Sequence, residues 1–283
     1  MSSLEQISQT LTNPAFYRKR IRGLARMFRR FEDDPKWQSV SALEAAKSVV
    51  LVIAHPDDET FASGLLCELV DAGSQVDVIC VTRGEGGPAG KVTRGELGAV
   101  RSVELRKACD VLGLGEIHFL EHRDPIGSDY RAWAPDVSTE DLAEQIAPLI
   151  SDADLVVSHG SSGEYWHPAH LLVFAAMKRS VSDFGESGPA WLTMMARNSE
   201  PAASNWVNLD DEAHFRINVS AHAEKRATAL QCHETQLSLF EKWMEGSALE
   251  FIQRNPEEHY SLQRRGKLEI PEPADVGEGL GNH

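Results

Sequence analysis

The chain has 283 residues, 42% of them hydrophobic, which is enough for one large α/β core or two smaller ones and too apolar for a disordered chain. A formal net charge of -15, from 28 basic against 43 acidic side chains, argues against a general nucleic-acid binder, which needs surplus lysine and arginine to neutralise phosphates. No apolar run reaches the length of a membrane span, MSSLEQISQT lacks the features of a secretory signal, and Cys67, Cys80, Cys109 and Cys232 show no C-x-x-C spacing. The expectation is a cytoplasmic protein with free thiols.

The first element in chain order is basic. Residues 18 to 30, RKRIRGLARMFRR, hold seven of the 28 basic residues and no acid, and Tyr17, Ile21, Leu24, Phe28 and Phe31 recur at helical spacing. This predicts an amphipathic helix within a helical extension at residues 1–47, packed on the acidic body or on a second subunit of a homo-oligomer, with a membrane-surface role as the alternative. From residue 48 strands and helices alternate. SVVLVIA, QVDVICVT, EIHFLEH and DLVVSHG read as strands, and TFASGLLCELVDAG, ELGAVRSVELRKACDVLGL and TEDLAEQIAPLISDA as the helices between them, with Gly73, Gly113 and Gly115 at their stops. Repeated βα units of this kind predict an α/β domain at 48–250: a Rossmann-like, mostly parallel sheet flanked by helices. AWLTMMAR and HFRINVS are candidate added strands, AHAEKRATALQCHETQLSLFEKWM one long helix, and 251–283, polar with Pro271 and Pro273, an extended tail.

Two clusters carry chemistry, each at the carboxyl end of a predicted strand, where open α/β sheets bind ligands. HPDDE follows SVVLVIA, and GEYWHPAH follows DLVVSHG. Helix N-terminal acids explain Asp58 or Glu59, but not a histidine beside adjacent carboxylates that repel unless a cation or proton intervenes. Two histidines and one carboxylate drawn from these segments make a three-ligand zinc site with a position open for water. GEGGPAGK fails as a phosphate loop, because Glu85 and Val92 stand where glycine and serine or threonine are needed. Its glycines suggest a mobile substrate loop instead.

AHPDDE after a hydrophobic strand, with HPAH about 110 residues later, resembles the PIG-L/LmbE-like family of zinc-dependent N-acetylglucosamine deacetylases. The likeness continues through TRGEGG, VRSVELRKACDVLG, HRDPIG and the H-x-x-Q of KRATALQCHETQ, covering roughly residues 48 to 240. It implies His55, Asp58 and His170 as ligands of Zn2+, with Fe2+ or Co2+ accepted by some members. It also implies Asp57 as general base, a protonated His167 beside the oxyanion, Tyr165 assisting carbonyl polarisation, and Arg101 and Asp124 holding sugar hydroxyls. Glu85 is expected to fix the loop over the site and His233 to close the pocket.

One position departs from the commonest form of the second motif, H-P-D-H: Ala169 stands where the aspartate would orient His167. Glu164, or a carboxylate from a distant segment, is the expected substitute. The implied function is hydrolysis of the N-acetyl group of an N-acetylglucosamine-type amino sugar or conjugate. An amidase acting on a larger amide and a non-catalytic metal-bound carbohydrate-binding protein are the alternatives, with a non-haem iron oxygenase behind them.

Overall fold

Alternate residues of β1 (Ser48–Ile53) enter two different cores. Val49, Leu51 and Ile53 point into one and Val50 and Val52 into the other, as the two-residue period of a strand buried on both faces requires. β2 (Gln75–Thr82) repeats the pattern, sending Val76, Val78 and Cys80 to the first core and Ile79 and Val81 to the second. The computed structural model describes residues 35–127, 134–198, 207–241, 244 and 246–271. The basic amphipathic segment at 18–30, and with it the expected oligomer contact, lies outside the described residues.

β3 (Ile117–His122), β4 (Leu155–Ser158) and β5 (Ala190–Thr193) run parallel to β1 and β2. The connecting helices are α1 (Ser63–Asp71), α2 (Leu97–Leu112), α3 (Thr139–Ile150) and α4 (Pro168–Ser182), close to the sequence expectation. α1 and α2 cover the first face, burying Leu65, Leu69, Leu105 and Leu112. α3 and α4 cover the second, burying Leu142, Ile146, Val173 and Met177. Gly113 ends α2 at φ 79, the left-handed cap that glycine adopts without Cβ strain.

The C-terminal third differs from the reading of the sequence in three places. AWLTMMAR divides into β5 and a short β6 (Ala196–Arg197), which pairs with β7 (Asn208–Glu212) in a separate two-stranded sheet. The single long helix is broken: α5 (Ala223–Gln231) stops, Cys232 to Gln236 form a turn, and α6 (Leu237–Phe240) follows, because His233 turns inward to a buried carboxylate. The expected extended tail is also corrected. α7 (Ala248–Arg254) leads into β9 (Glu257–Arg264), which lies between β5 and β8 (Phe215–Asn218) and pairs antiparallel with both. β9 is polar in sequence, yet Glu258, Tyr260 and Ser261 are buried and hydrogen-bonded, so hydropathy hid an interior strand. The sheet order is β3-β2-β1-β4-β5-β9-β8. Among the described residues, no helix is long and apolar enough to cross a membrane.

Candidate metal centre and active site

β1 and β4 are neighbours, but the chain builds outward from β1 through β2 and β3 on one side and then resumes at β4 on the other. The crevice at their carboxyl ends is the switch point of the sheet, where no connection crosses and a ligand has room. Segment 54–61 leaves β1 and segment 159–170 leaves β4. The two are joined by Ala54 N–H donating to His159 Nε2 at 3.1 Å.

The first segment is a tight turn. His55 N–H donates to Asp58 Oδ2 at 2.8 Å, and Asp58 and Glu59 are both buried at the start of a short helical turn. Asp57 has φ 114, a strained conformation for a residue with a Cβ, costing about 1–3 kcal/mol. Neighbours hold it there: Glu59 Oε2 accepts Asp57 N–H at 3.0 Å, and Thr60 Oγ1 donates to Asp57 O at 2.7 Å. The strain aims the Asp57 carboxylate at Arg101, whose Nη2 is 3.1 Å from Oδ2.

The second segment is built around Glu164. Glu164 at φ 55 and Trp166 at φ 69 kink the turn Gly163–Trp166 before His167 caps α4. Glu164 Oε2 accepts from His170 Nδ1 at 2.6 Å and from His159 Nδ1 at 2.9 Å, rather than orienting His167 as expected. The backbone N–H of Ala169 donates to His167 Nδ1 at 3.3 Å, so the proton of this imidazole belongs on Nε2. The Tyr165 ring meets His167 and His170 edge-on, with centroids 5.6 and 5.4 Å away.

Two clusters bring imidazole and carboxylate donors within 4.8 Å of one another: His55, His167 and His170, and Asp58, His159 and His170. His159 Nε2 already accepts the Ala54 N–H, and His167 Nδ1 the Ala169 N–H, so neither of these nitrogens is left for a metal. His55 Nε2 and His170 Nε2 are instead buried without hydrogen-bond partners. His170 Nε2 lies 3.2 Å from Asp58 Oδ1 and His55 Nδ1 lies 3.3 Å from Asp58 Oδ2. Ring nitrogens and a carboxylate so close together need a positive charge among them. Two imidazoles and one carboxylate fit a borderline metal such as zinc, and His170 shows the carboxylate-backed geometry of metal-binding histidines.

Electrostatics point the same way. Burial opposes charging His55, but Asp124 and Asp58 outweigh it and lift its pKa to about 9; Asp58 likewise raises His170 against burial. These carboxylates attract positive charge, which a metal ion held by His55, Asp58 and His170 would supply to every donor at once. Burial, together with His55 and His170, pushes His167 down to about 2. The cationic His167 expected from the sequence is therefore not what this environment favours. Burial raises Asp57 to about 6 against the pull of Arg101.

Arg101, expected to hold a sugar hydroxyl, is buried and not open to a ligand. It is 2% exposed, with Nη1 donating to Gly84 O at 2.8 Å and Nη2 to Pro56 O. Asp124 Oδ1 stands 3.5 Å from His55 Nε2, and Oδ2 accepts Gly86 N–H at 2.9 Å. Glu85 ties its loop to this edge by accepting Asp124 N–H at 3.1 Å. The loop glycines make room rather than mobility. A Cβ on Gly84 would sit 2.2 Å from Arg101 Nη1, and one on Gly86 2.2 Å from Pro125 O. His233 is fully buried on Glu59 rather than facing a pocket.

Residues 50–181 match the PIG-L family, described as GlcNAc-PI de-N-acetylase. The chain is 31% identical over 230 residues to the 1D-myo-inositol 2-acetamido-2-deoxy-alpha-D-glucopyranoside deacetylase of Corynebacterium diphtheriae, covering 67% of this chain and 76% of that relative. The chain belongs to the PIG-L family. Its fold is shared with an N,N'-diacetylchitobiose deacetylase from Pyrococcus horikoshii, at TM-score 0.57 and 18% identity over 94% of each chain. A 4-carboxy-2-hydroxymuconate hydratase from Pseudomonas putida also superposes, at TM-score 0.53 and 18% identity over 76% of this chain and 95% of that one. The fold alone therefore does not choose the reaction, and the side chains at the switch point must.

Within this PIG-L chain, sequence reasoning missed His159, the partner of Glu164, and Asn208. His159 ends the DLVVSHG strand one residue before Gly160, and that position at a strand terminus was the available signal. Asn208 carries none, being 44 residues from Glu164 and beyond the matched stretch.

Proposed function

We propose that this PIG-L protein hydrolyses the N-acetyl group of an N-acetylglucosamine-type sugar or conjugate, releasing acetate and the free amine. The observation that carries the reading is the separation of duties inside the first motif. Asp58 faces the bare Nε2 of His170 and, on its other oxygen, Nδ1 of His55, while its neighbour Asp57 is turned by a strained backbone toward Arg101.

His55, Asp58 and His170 are assigned as the metal ligands, with Zn2+ as the favoured ion. When bound, that ion acts as a Lewis acid on the amide carbonyl and acidifies water. Asp57 takes the proton from the attacking water and returns it to the departing amine, held in place by Arg101 and by the Glu59 hydrogen bond to its own N–H. His167, neutral with its proton on Nε2, donates a hydrogen bond to the oxygen that gains charge, and Tyr165 assists from the adjoining edge. Asp124 is assigned to sugar hydroxyls. Arg101, buried beside Asp57, serves that carboxylate rather than a sugar hydroxyl.

One observation favours a larger substrate. Arg123, Pro125, Ile126, Ala134, Pro135 and Asp136 line a groove of about 570 Å³, and Arg123 and Pro125 flank Asp124 in the chain. A lining that mixes apolar Pro125, Ile126, Ala134 and Pro135 with charged Arg123 and Asp136 suits an aglycone attached to the sugar. The deciding experiment measures amine and acetate release from a panel of N-acetylglucosamine derivatives by zinc-loaded wild type and Asp57→Ala. Release by wild type alone supports the deacetylase reading. Release only from bulky amide conjugates moves it to the larger-amide reading, and silence from both proteins with zinc still bound leaves a binding protein.

A further inference from the structure

We infer that Glu164 is the positioning residue of the metal centre, fixing the tautomer of His170 so that its Nε2 lone pair is presented beside Asp58. This rests on the proposed role of His170 as a ligand.

Four donors converge on one carboxylate. Oε2 accepts from His170 Nδ1 at 2.6 Å and His159 Nδ1 at 2.9 Å, while Oε1 accepts from Asn208 Nδ2 at 2.9 Å and Gly160 N–H at 3.1 Å. An ionised carboxylate only accepts and has about four lone-pair sites, so Glu164 is saturated. His159 cannot exchange its ring nitrogens, because Nε2 receives the Ala54 N–H. Its proton therefore sits on Nδ1. At 2.6 Å from the same oxygen, His170 Nδ1 must also donate, which leaves Nε2 bare and 3.2 Å from Asp58 Oδ1. His159 stacks on His170 at 3.8 Å and 18°, which opposes tilting of the ligand ring.

Glu164 is itself held from outside the segment that matches the family. Asn208 Oδ1 accepts Glu164 N–H at 3.2 Å and Ser162 N–H at 2.9 Å, and Asn208 Nδ2 also donates to Met194 O at 2.8 Å. These bonds hold Glu164 at φ 55, ψ -60, a conformation that persists only where its surroundings over-determine it. β7, which carries Asn208, lies beyond residues 50–181, so the family match does not reach this support.

Glu164→Gln tests the inference. The amide has one acceptor oxygen, and whichever way it turns, its NH2 meets two donors. Zinc affinity of the full chain, measured by chelator competition, is expected to fall about 10- to 100-fold with the fold intact by circular dichroism. Asn208→Ala, which leaves the Oε2 side in place, gives a smaller loss. In zinc-loaded wild type, long-range proton–nitrogen NMR is expected to show His170 protonated on Nδ1. A folded Glu164→Gln that binds zinc as tightly as wild type overturns the inference, as does wild-type His170 protonated on Nε2. If the variant does not fold, the wild-type spectrum decides. His170→Ala run in parallel separates the two readings: zinc retained there defeats the ligand assignment, whereas zinc lost there and kept in Glu164→Gln defeats only the role of Glu164.

Discussion

His233 reaches across 174 positions of sequence to hydrogen-bond Glu59, and the other oxygen of Glu59 accepts the N–H of Asp57. A histidine on the turn after α5 thus supports the backbone of the proposed base. Glu59→Ala is expected to lower kcat at least tenfold while zinc affinity changes only a few-fold, because the ligands stay and the aim of Asp57 is lost. It leaves a buried imidazole unpaired, costing about 1–3 kcal/mol. Steady-state kinetics beside chelator competition and a thermal melt check this; loss of zinc and kcat together would mean that Glu59 acts through the ligands instead.

Arg101 opposes the effect of burial on Asp57, whose carboxyl stands raised to about 6. Removing the guanidinium in Arg101→Met removes the interaction that lowers this pKa, so it rises further. The base form then appears at higher pH, and the acid limb of the kcat/KM profile is expected to shift upward. The measurement is a pH–rate profile of both proteins at saturating zinc; an unmoved acid limb would dissociate that limb from Asp57.

Two glycines with positive φ distinguish strain from collision. Gly73 at φ 85 has nothing within 4 Å of a built Cβ, so Gly73→Ala carries only the left-handed penalty of about 1–2 kcal/mol. Gly84 at φ 68 would also drive its Cβ against Arg101 Nη1 at 2.2 Å. Gly84→Ala is expected to lower stability more than Gly73→Ala and to abolish activity as well, as denaturant melts and turnover will show.

Deleting residues from Glu257 onward is expected to yield insoluble protein. The deletion exposes the edges of β5 and β8 and removes Glu258, whose carboxylate accepts the N–H groups of Gly64 and Leu65 at 2.9 Å each and pairs with Arg226 at 3.0 Å. Soluble yield and the circular dichroism spectrum of the truncated chain test it; a folded product would make β9 dispensable.

The thiols give a test of the first core, which holds Cys67, Cys80 and Cys109. Burial pushes Cys67 up to about 11 and raises Cys80 and Cys109 further, whereas Cys232 is partly exposed and only raised. A thiol reagent at pH 8 is expected to modify Cys232 slowly and the other three only after denaturation. Rapid native modification of Cys80 would place it outside the core.

The sequence by itself determined the β1 to β5 framework, because apolar alternation and helix stops act over a few residues and are written where they act. It also determined the first motif, since His55, Asp57 and Asp58 fall within four positions of one turn. Only the tertiary structure decided that β9 is an interior strand, that Glu164 serves His170 rather than His167, and that His159, Asn208 and His233 support the site. Each of these is a polar contact made in a buried place, most of them between residues far apart in the chain. Hydrogen bonding in such places depends on which donors the fold delivers to an acceptor, and no local pattern of hydropathy records that.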